Sequence, residues 1–122
     1  MRKPLIAVDG SDHANRAVEY AIDLFKRYEP VEVHLINVQP APVKWQTRGI
    51  GEKVSVAHAR DHAREATAGA CSLLKAAAID YHLHLEMGEP AEVIARFTKK
   101  LKCDGIIMGT RGLGPVNCFI LA

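Results

Sequence analysis

Short apolar runs alternate with longer segments of helical period along the chain, and this alternation restricts the fold more than any other feature. Residues 5–8, Leu-Ile-Ala-Val, are continuously apolar, and over residues 12–28 apolar side chains recur at three- and four-residue steps. Continuous apolar runs of this length are typical of strands buried on both faces of a parallel sheet. The sequence therefore predicts an α/β fold of order β-α-β-α-β-α-β, an open, mostly parallel sheet between two layers of helices.

The predicted elements follow one another without an internal repeat or a second domain. The predicted strands are residues 5–8, 31–38, 81–87 and 104–108, and the predicted helices are residues 12–28, residues 54–78 and a third that starts at Glu89-Pro90. In the third strand His82, His84 and Glu86 share one face, which predicts an edge strand with a solvated side. The polar loop at 39–53, which contains Trp45, is either a lid over a site or a freely varying connection.

Composition and charge exclude several classes of function. The 122 residues suit one domain, and sixteen basic residues are interleaved with fourteen acidic ones, so no nucleic-acid-binding surface is indicated. The three cysteines form no Cys-x-x-Cys pair, which favours reduced thiols in the cytoplasm. No apolar segment approaches the ~20 residues that a membrane span needs. We expect a cytoplasmic protein without nucleic-acid or membrane partners.

Three strand ends carry the candidate chemistry, because ligands of open α/β sheets bind at the carboxyl ends of the strands. Asp9-Gly10-Ser11 follows the first strand, where a carboxylate can accept hydrogen bonds from a ribose or simply belong to a helix-capping turn. The second strand ends near Val38, whose backbone groups could face a base. Residues 108–114, Met-Gly-Thr-Arg-Gly-Leu-Gly, could form an anion-binding nest or a structural turn. Their spacing fits neither the dinucleotide nor the P-loop motif.

Three segments taken together resemble the universal stress protein family. They are Val8-Asp9-Gly10-Ser11, then Met-Gly-Glu-Pro-Ala-Glu-x-Ile at 87–94, and Cys-Asp-Gly-Ile-Ile-Met-Gly-Thr-Arg-Gly-Leu-Gly at 103–114. The resemblance implies one Usp domain over residues 1–122 with a three-layer, Rossmann-like architecture of the adenine nucleotide alpha hydrolase type. It further implies a homodimer that binds ATP or a related adenine nucleotide, with or without Mg²⁺, and regulates a stress response.

The resemblance also assigns roles by position. Asp9 would hold the ribose, the backbone of Val38 would face the adenine, and Met108 would line the adenine pocket. The phosphates would lie among Gly109, Arg111 and Gly112. The remaining expected nucleotide-binding positions are Ala7, Gly10, Ser11, Thr110 and Gly114. Neither a catalytic residue nor a protein-held metal is expected, so any ATP hydrolysis would be slow and incidental.

The C-terminal segment departs from the family's pattern. After Gly109 and Gly112 the pattern continues with nine residues and a Gly-Ser or Gly-Thr pair, whereas Ala122 stands where that glycine is expected. We therefore expect the last helix and the fifth strand to be missing, which leaves a sheet of order 3-2-1-4. The apolar tail at 116–121 would fold back over the sheet, contact another molecule, or belong to an incomplete product.

Other functions stay open at this stage. A nucleotide-free interaction module would act through homo- or hetero-association, favoured by the incomplete phosphate signature and by an exposed fourth strand. An adenine nucleotide hydrolase is a third possibility. His58 and His62 lie four residues apart, a spacing that can bind a metal, but a solvated helix face explains them more simply.

Overall fold

The computed structural model describes residues 2–40, 52–109 and 119–121, with the backbone alone for 52–56 and 119–121. Its elements in chain order are β1 (Pro4–Ala7), α1 (Asp12–Arg27), β2 (His34–Gln39), α2 (Glu52–Ala76), β3 (His82–Met87), α3 (Pro90–Lys100), β4 (Gly105–Met108) and β5 (Phe119–Leu121). The predicted alternation is confirmed. The loop interpretation that involved Trp45 falls outside the described residues.

The strands form one sheet of order β3-β2-β1-β4-β5. β1 is parallel to both neighbours, with Leu5 opposite His34 on β2 and opposite Ile106 on β4. β2 is also parallel to β3, which lies at the edge of the sheet. The predicted order 3-2-1-4 and the edge position of β3 are therefore confirmed.

The prediction that the fifth strand is missing is wrong. β5 pairs with β4 in the antiparallel sense, with Met108 opposite Phe119 and Ile106 opposite Leu121. An antiparallel neighbour needs only a short connection, whereas a parallel neighbour needs a crossover of a dozen or more residues. The expectation of a missing strand followed the family's pattern, in which the last helix and the fifth strand come after the Gly-Ser or Gly-Thr pair. Residues 119–121 belong to the tail for which folding back was one alternative, and they cover the edge of β4.

Two apolar layers lie on opposite faces of the sheet, because successive strand residues point to opposite sides. Ile6, Leu35 and Ile107 are fully buried against α1 and α2, while Leu5 and Ile36 are fully buried against α3. Burial of one such side chain stabilises the fold by about 1.5–3 kcal/mol. The three-layer architecture follows directly from this division.

The helix ends match their sequence signals. Ser11 caps α1, its Oγ accepting from Ala14 N at 3.1 Å, and Glu89 caps α3 by accepting from Glu92 N at 2.7 Å. α2 ends earlier than predicted because Ala78 adopts a left-handed φ of 58°, and Ile79 N then donates to Leu74 O. Within the described residues, no helix combines the length and apolar character needed to cross a bilayer.

The solvated histidine face predicted for β3 is wrong for His84. His34, which the sequence did not single out, lies on the same face of neighbouring β2 and is only 4% exposed. Its Nδ1 lies 2.9 Å from His84 Nε2, and its Nε2 lies 2.7 Å from Glu32 Oε2. His84 also packs against Phe97 of α3, with ring centroids 5.4 Å apart. His82 alone keeps the predicted exposure.

Candidate functional site

The carboxyl ends of β1, β2 and β4 open onto a cavity of about 250 Å³ beside the start of α3. Its lining residues are Ala7, Val8, Asp9, Ile36, Val38, Pro90, Ile94, Met108 and Gly109. Pockets for small ligands usually measure about 300–1,000 Å³. The cavity therefore suits a base with its sugar, whereas attached phosphates would extend beyond it.

The lining is apolar except at one corner. Among the described residues that line the cavity, Asp9 carries the one ionisable side chain. Asp9 is exposed at the rim, whereas Ile36 is fully buried and Ile94 half-buried. An apolar slot with a carboxylate at its mouth can hold a flat base by burial and a hydroxylated sugar by hydrogen bonds.

The structure gathers five of the residues assigned by resemblance around this cavity, and they are Ala7, Asp9, Val38, Met108 and Gly109. Gly10 and Ser11 lie in the turn that leads from β1 into α1. Thr110, Arg111, Gly112 and Gly114 lie outside the described residues. The binding roles of all these residues stay predictions, but the placement of the five around the cavity is compatible with a single ligand.

Sequence reasoning missed the wall that α3 contributes. Pro90 and Ile94 line the cavity from the first turns of this helix. Both belong to the Met-Gly-Glu-Pro segment that carried the family resemblance, which was a usable signal. Ile36 was missed because its sequence pattern is that of a buried core residue. In the structure Ile36 packs in the core, and one side of it also reaches the cavity.

The Asp9–Ser11 turn explains how β1 enters α1. Asp9 Oδ1 accepts from Ser11 N at 2.9 Å, and Ser11 then caps the helix. Gly10 has a φ of +86°, and a Cβ there would lie 3.0 Å from the Cα of Ala66 on α2. The capping interpretation of this turn is therefore realised, and it places the Asp9 carboxylate at the rim of the cavity.

Gly109 brings the end of β4 against the first turn of α1. A Cβ at this position would collide with the carbonyl group of His13 and would lie 2.8 Å from Ala14 N. Only glycine fits such an approach. The N-terminus of a helix carries a partial positive charge and is a favourable position for phosphate. The close contact therefore sets this end of α1 beside the cavity.

Other candidate sites are weaker. His58 and His62 are both exposed, and their ring centroids lie 6.4 Å apart. Burial raises the pKa of the Cys103 thiol, and neighbouring Asp104 and Glu32 raise it further, so the reactive thiolate is disfavoured. In the part of the chain that the structure describes, no three His, Cys, Asp or Glu residues are grouped to hold a metal ion.

Comparison with known proteins identifies the family. A sequence model of the universal stress protein family matches residues 1–122. The chain belongs to the universal stress protein family. Among curated members it is similar to a universal stress protein of Methanocaldococcus jannaschii, with 29% identity over 113 residues. That match covers 91% of this chain and 65% of the relative, so the chain spans less than two thirds of the relative's length.

Solved structures of universal stress proteins share the fold. One, in complex with cAMP, superposes with a TM-score of 0.69 and 19% identity, over 94% of this chain and 80% of that chain. Another, from Arabidopsis thaliana with AMP bound, has a TM-score of 0.64 and 17% identity, over 95% of this chain and 81% of that chain. At such identities the likeness establishes the universal stress protein fold, a Rossmann-like α/β sheet.

Proposed function

We propose that this universal stress protein binds an adenine nucleotide in the cavity at the ends of β1, β2 and β4. The observation that carries the proposal is the convergence of Asp9, Val38 and Met108 on one slot of nucleoside size. These residues lie at the ends of three different strands, and the resemblance had assigned Asp9 to the ribose and both Val38 and Met108 to the adenine of one nucleotide.

In this proposal the adenine lies in the apolar part of the cavity, between Met108 and Ile94, with its edge toward the backbone of Val38. The Asp9 carboxylate accepts hydrogen bonds from the ribose hydroxyls at the rim. The phosphates extend toward the first turn of α1, past Gly109. The cAMP and AMP complexes of structurally similar proteins support the choice of an adenine nucleotide.

The bound nucleotide acts as a signal in this proposal, and the protein is a regulatory component of a stress response. Asp9 is the one ionisable group among the described lining residues, and it already accepts a hydrogen bond from Ser11 N. A general base must reach the proton that it removes. In this proposal the Asp9 carboxylate instead accepts hydrogen bonds from the turn and from the ribose. Mg²⁺ would accompany ATP through the phosphate oxygens. Steady ATP turnover that Asp9→Ala abolishes would contradict this part and favour a hydrolase.

The experiment that tests the proposal is a thermal shift titration of the purified chain with ATP, ADP, AMP and cAMP, each with and without Mg²⁺. A ligand at 100 times its Kd adds about 2.7 kcal/mol to stability, which raises the Tm of a domain of this size by several degrees. The ligand with the largest shift at equal concentration identifies the nucleotide. Absence of a shift with every nucleotide at millimolar concentration would overturn the proposal.

A second function, association with another copy of this chain, is favoured by one observation. Leu83 and Met87 on the edge strand β3 are 41% and 37% exposed, and an open edge can pair with another strand. Light scattering across a concentration series would show a dimer that Leu83→Lys dissolves. Val31→Lys is the matched control, because Val31 is 66% exposed but lies outside β3. A mass that stays monomeric at every concentration would exclude association.

A further inference from the structure

The hydrogen-bond ladder between β1 and β2 stops at the mouth of the cavity. Ala7 lies opposite Ile36, and Val8 N donates to Ile36 O at 3.0 Å. In a regular parallel ladder the next bond would run from Val38 N to Val8 O. In the described part of the chain no main-chain bond joins Val38 to the end of β1.

The carbonyl of Val8 accepts from a side chain instead. Asn37 Nδ2 donates to Val8 O at 2.8 Å, and Gln39 Nε2 donates to Asn37 Oδ1 at 2.8 Å. A carbonyl oxygen can only accept, so the Nδ2 atom of Asn37 must be the one that faces Val8. The Gln39 bond satisfies the other end of the same amide and holds it in this orientation.

Asn37 is only 2% exposed, so its amide is costly to bury unless both ends are bonded. An apolar residue would fill this position without that cost. The amide bonds the same carbonyl that the N–H of Val38 would reach in a regular ladder. The N–H and C=O groups of Val38 point toward the β1 side of β2, as do those of Ile36. Val38 lines the cavity at the level where β1 has ended.

We infer that Asn37 is a positioning residue that withdraws Val8 O from the ladder and leaves the main chain of Val38 free to read the edge of the base. This inference rests on the proposed nucleotide function. Adenine presents a ring nitrogen that accepts and an amino group that donates. One N–H and one C=O group of the same residue match that pair. In hypoxanthine a carbonyl oxygen replaces the amino group. That oxygen would face the carbonyl oxygen of Val38, and two acceptors cannot form a hydrogen bond with each other.

The first test measures amide hydrogen exchange by NMR and needs no ligand. In the wild-type protein Val38 N–H should exchange at least about tenfold faster than Ile36 N–H, because the Ile36 amide lies within the ladder. Asn37→Leu keeps a side chain of similar volume but removes the donor, so Val38 N–H can join Val8 O and its exchange should slow. A Val38 amide as protected as that of Ile36 in the wild-type protein would overturn the inference.

The second test measures base selectivity by calorimetry with AMP, IMP and ribose 5-phosphate. The wild-type protein should prefer AMP to IMP by about tenfold or more, the value of one or two hydrogen bonds. Asn37→Leu should lose most of that preference while its affinity for ribose 5-phosphate stays unchanged. A merely structural loss would weaken all three ligands together.

Thr67→Val is the matched control. Thr67 is as buried as Asn37, its Oγ1 donates to Ala63 O within α2, and it is not among the residues that line the cavity. This variant should keep both the selectivity for AMP and the fast exchange of Val38 N–H. Nucleotide binding that persists with unchanged selectivity in Asn37→Leu would overturn this inference alone. Absence of AMP binding in the wild-type protein would overturn the proposed function and the base-reading role together.

Discussion

His34 Nδ1 and His84 Nε2 lie 2.9 Å apart on neighbouring strands, on the face of the sheet that α3 covers. Two nitrogens this close share one proton, so one ring donates and the other accepts. Glu32 fixes which ring nitrogen of His34 carries hydrogen, because its carboxylate accepts from Nε2 at 2.7 Å. The arrangement satisfies both imidazoles while they stay neutral.

The folded protein should lose stability as the pH falls below about 6.5. Burial lowers the pKa of His84 below its ordinary 6.5, and positive charge on His34, His82 and Lys100 lowers it further, against the opposing effect of Glu86. The unfolded chain therefore binds more protons than the folded chain between the two pKa values, and stability falls with pH there. The lowered pKa of Glu32, caused first by its hydrogen bond to His34, extends the loss to below pH 4.5.

Urea unfolding at pH 7.5, 6.5 and 5.5 measures this dependence. The urea concentration at the midpoint should decrease as the pH is lowered in the wild-type protein. The decrease should be clearly smaller in His84→Leu. His58→Leu, at an exposed position on α2, should keep the full dependence. An equal slope in both variants would show that the loss arises elsewhere.

Asp9→Asn should weaken nucleotide binding about tenfold or more. The substitution keeps an oxygen that can accept from Ser11 N, so the turn is preserved. It removes the charge of the carboxylate that would accept hydrogen bonds from the ribose hydroxyls. Hydrogen bonds to charged groups contribute about 1.5–3 kcal/mol. Calorimetry with AMP measures the loss. Asp23→Asn, at an exposed position further along α1 and outside the cavity, should bind AMP normally; equal weakening in both would point to a general charge effect.

Gly109→Ala should destabilise the fold by about 1–3 kcal/mol, because its Cβ meets the rigid backbone of His13 and Ala14. Gly69→Ala is the matched control on α2. Its Cβ would lie 3.1 Å from the side-chain atoms of Asn15, which can shift, and alanine favours helix by about 1 kcal/mol over glycine. Thermal unfolding should show a lower Tm for the first variant and an equal or higher Tm for the second. Equal Tm values would mean that β4 moves away from α1 at little cost.

Asp104→Ala should loosen the start of β1. The carboxylate of Asp104 accepts from Arg2 N at 2.7 Å and from Lys3 N at 3.0 Å, and these backbone bonds help to hold its pKa below the ordinary value. Their loss should cost about 1 kcal/mol and speed amide exchange at both residues. Asp80→Ala, an exposed aspartate beyond α2, should leave exchange at Arg2 and Lys3 unchanged. Protection that persists in Asp104→Ala would show that the strand start is held by other contacts.

The sequence was sufficient for the alternation of strands and helices, because the period of each element can be read locally, whereas the strand order came from the family resemblance. The sequence was insufficient for β5, because three apolar residues pair with β4 by a choice of direction that no local pattern reveals. The His34–His84 pair was equally hidden. It depends on the register that sets His34 beside β3, whereas each histidine taken singly looks like an ordinary strand residue.

For the candidate site, the strand-end rule correctly gathered Asp9, Val38 and Met108 at one edge of the sheet. It could not show the wall from α3, because the way a helix crosses a sheet depends on packing between distant residues. Asn37 was given no role of its own at the end of the second strand. The role now inferred for it depends on a contact with Val8, which lies 29 positions earlier in the chain.

The hydrogen bond from Arg2 N to the Asp104 carboxylate joins residues 102 positions apart in the chain. It lies near the start of β1, which has β4 beside it in the middle of the sheet. During synthesis β1, β2 and β3 leave the ribosome first and can begin to pair, but the other side of β1 stays open until residues 105–108 emerge. Closing so long a loop costs entropy before any contact rewards it. The central strand is thus made well before the neighbour that completes it, so a nascent chain stalled before β4 would expose the unpaired edge of its own core strand.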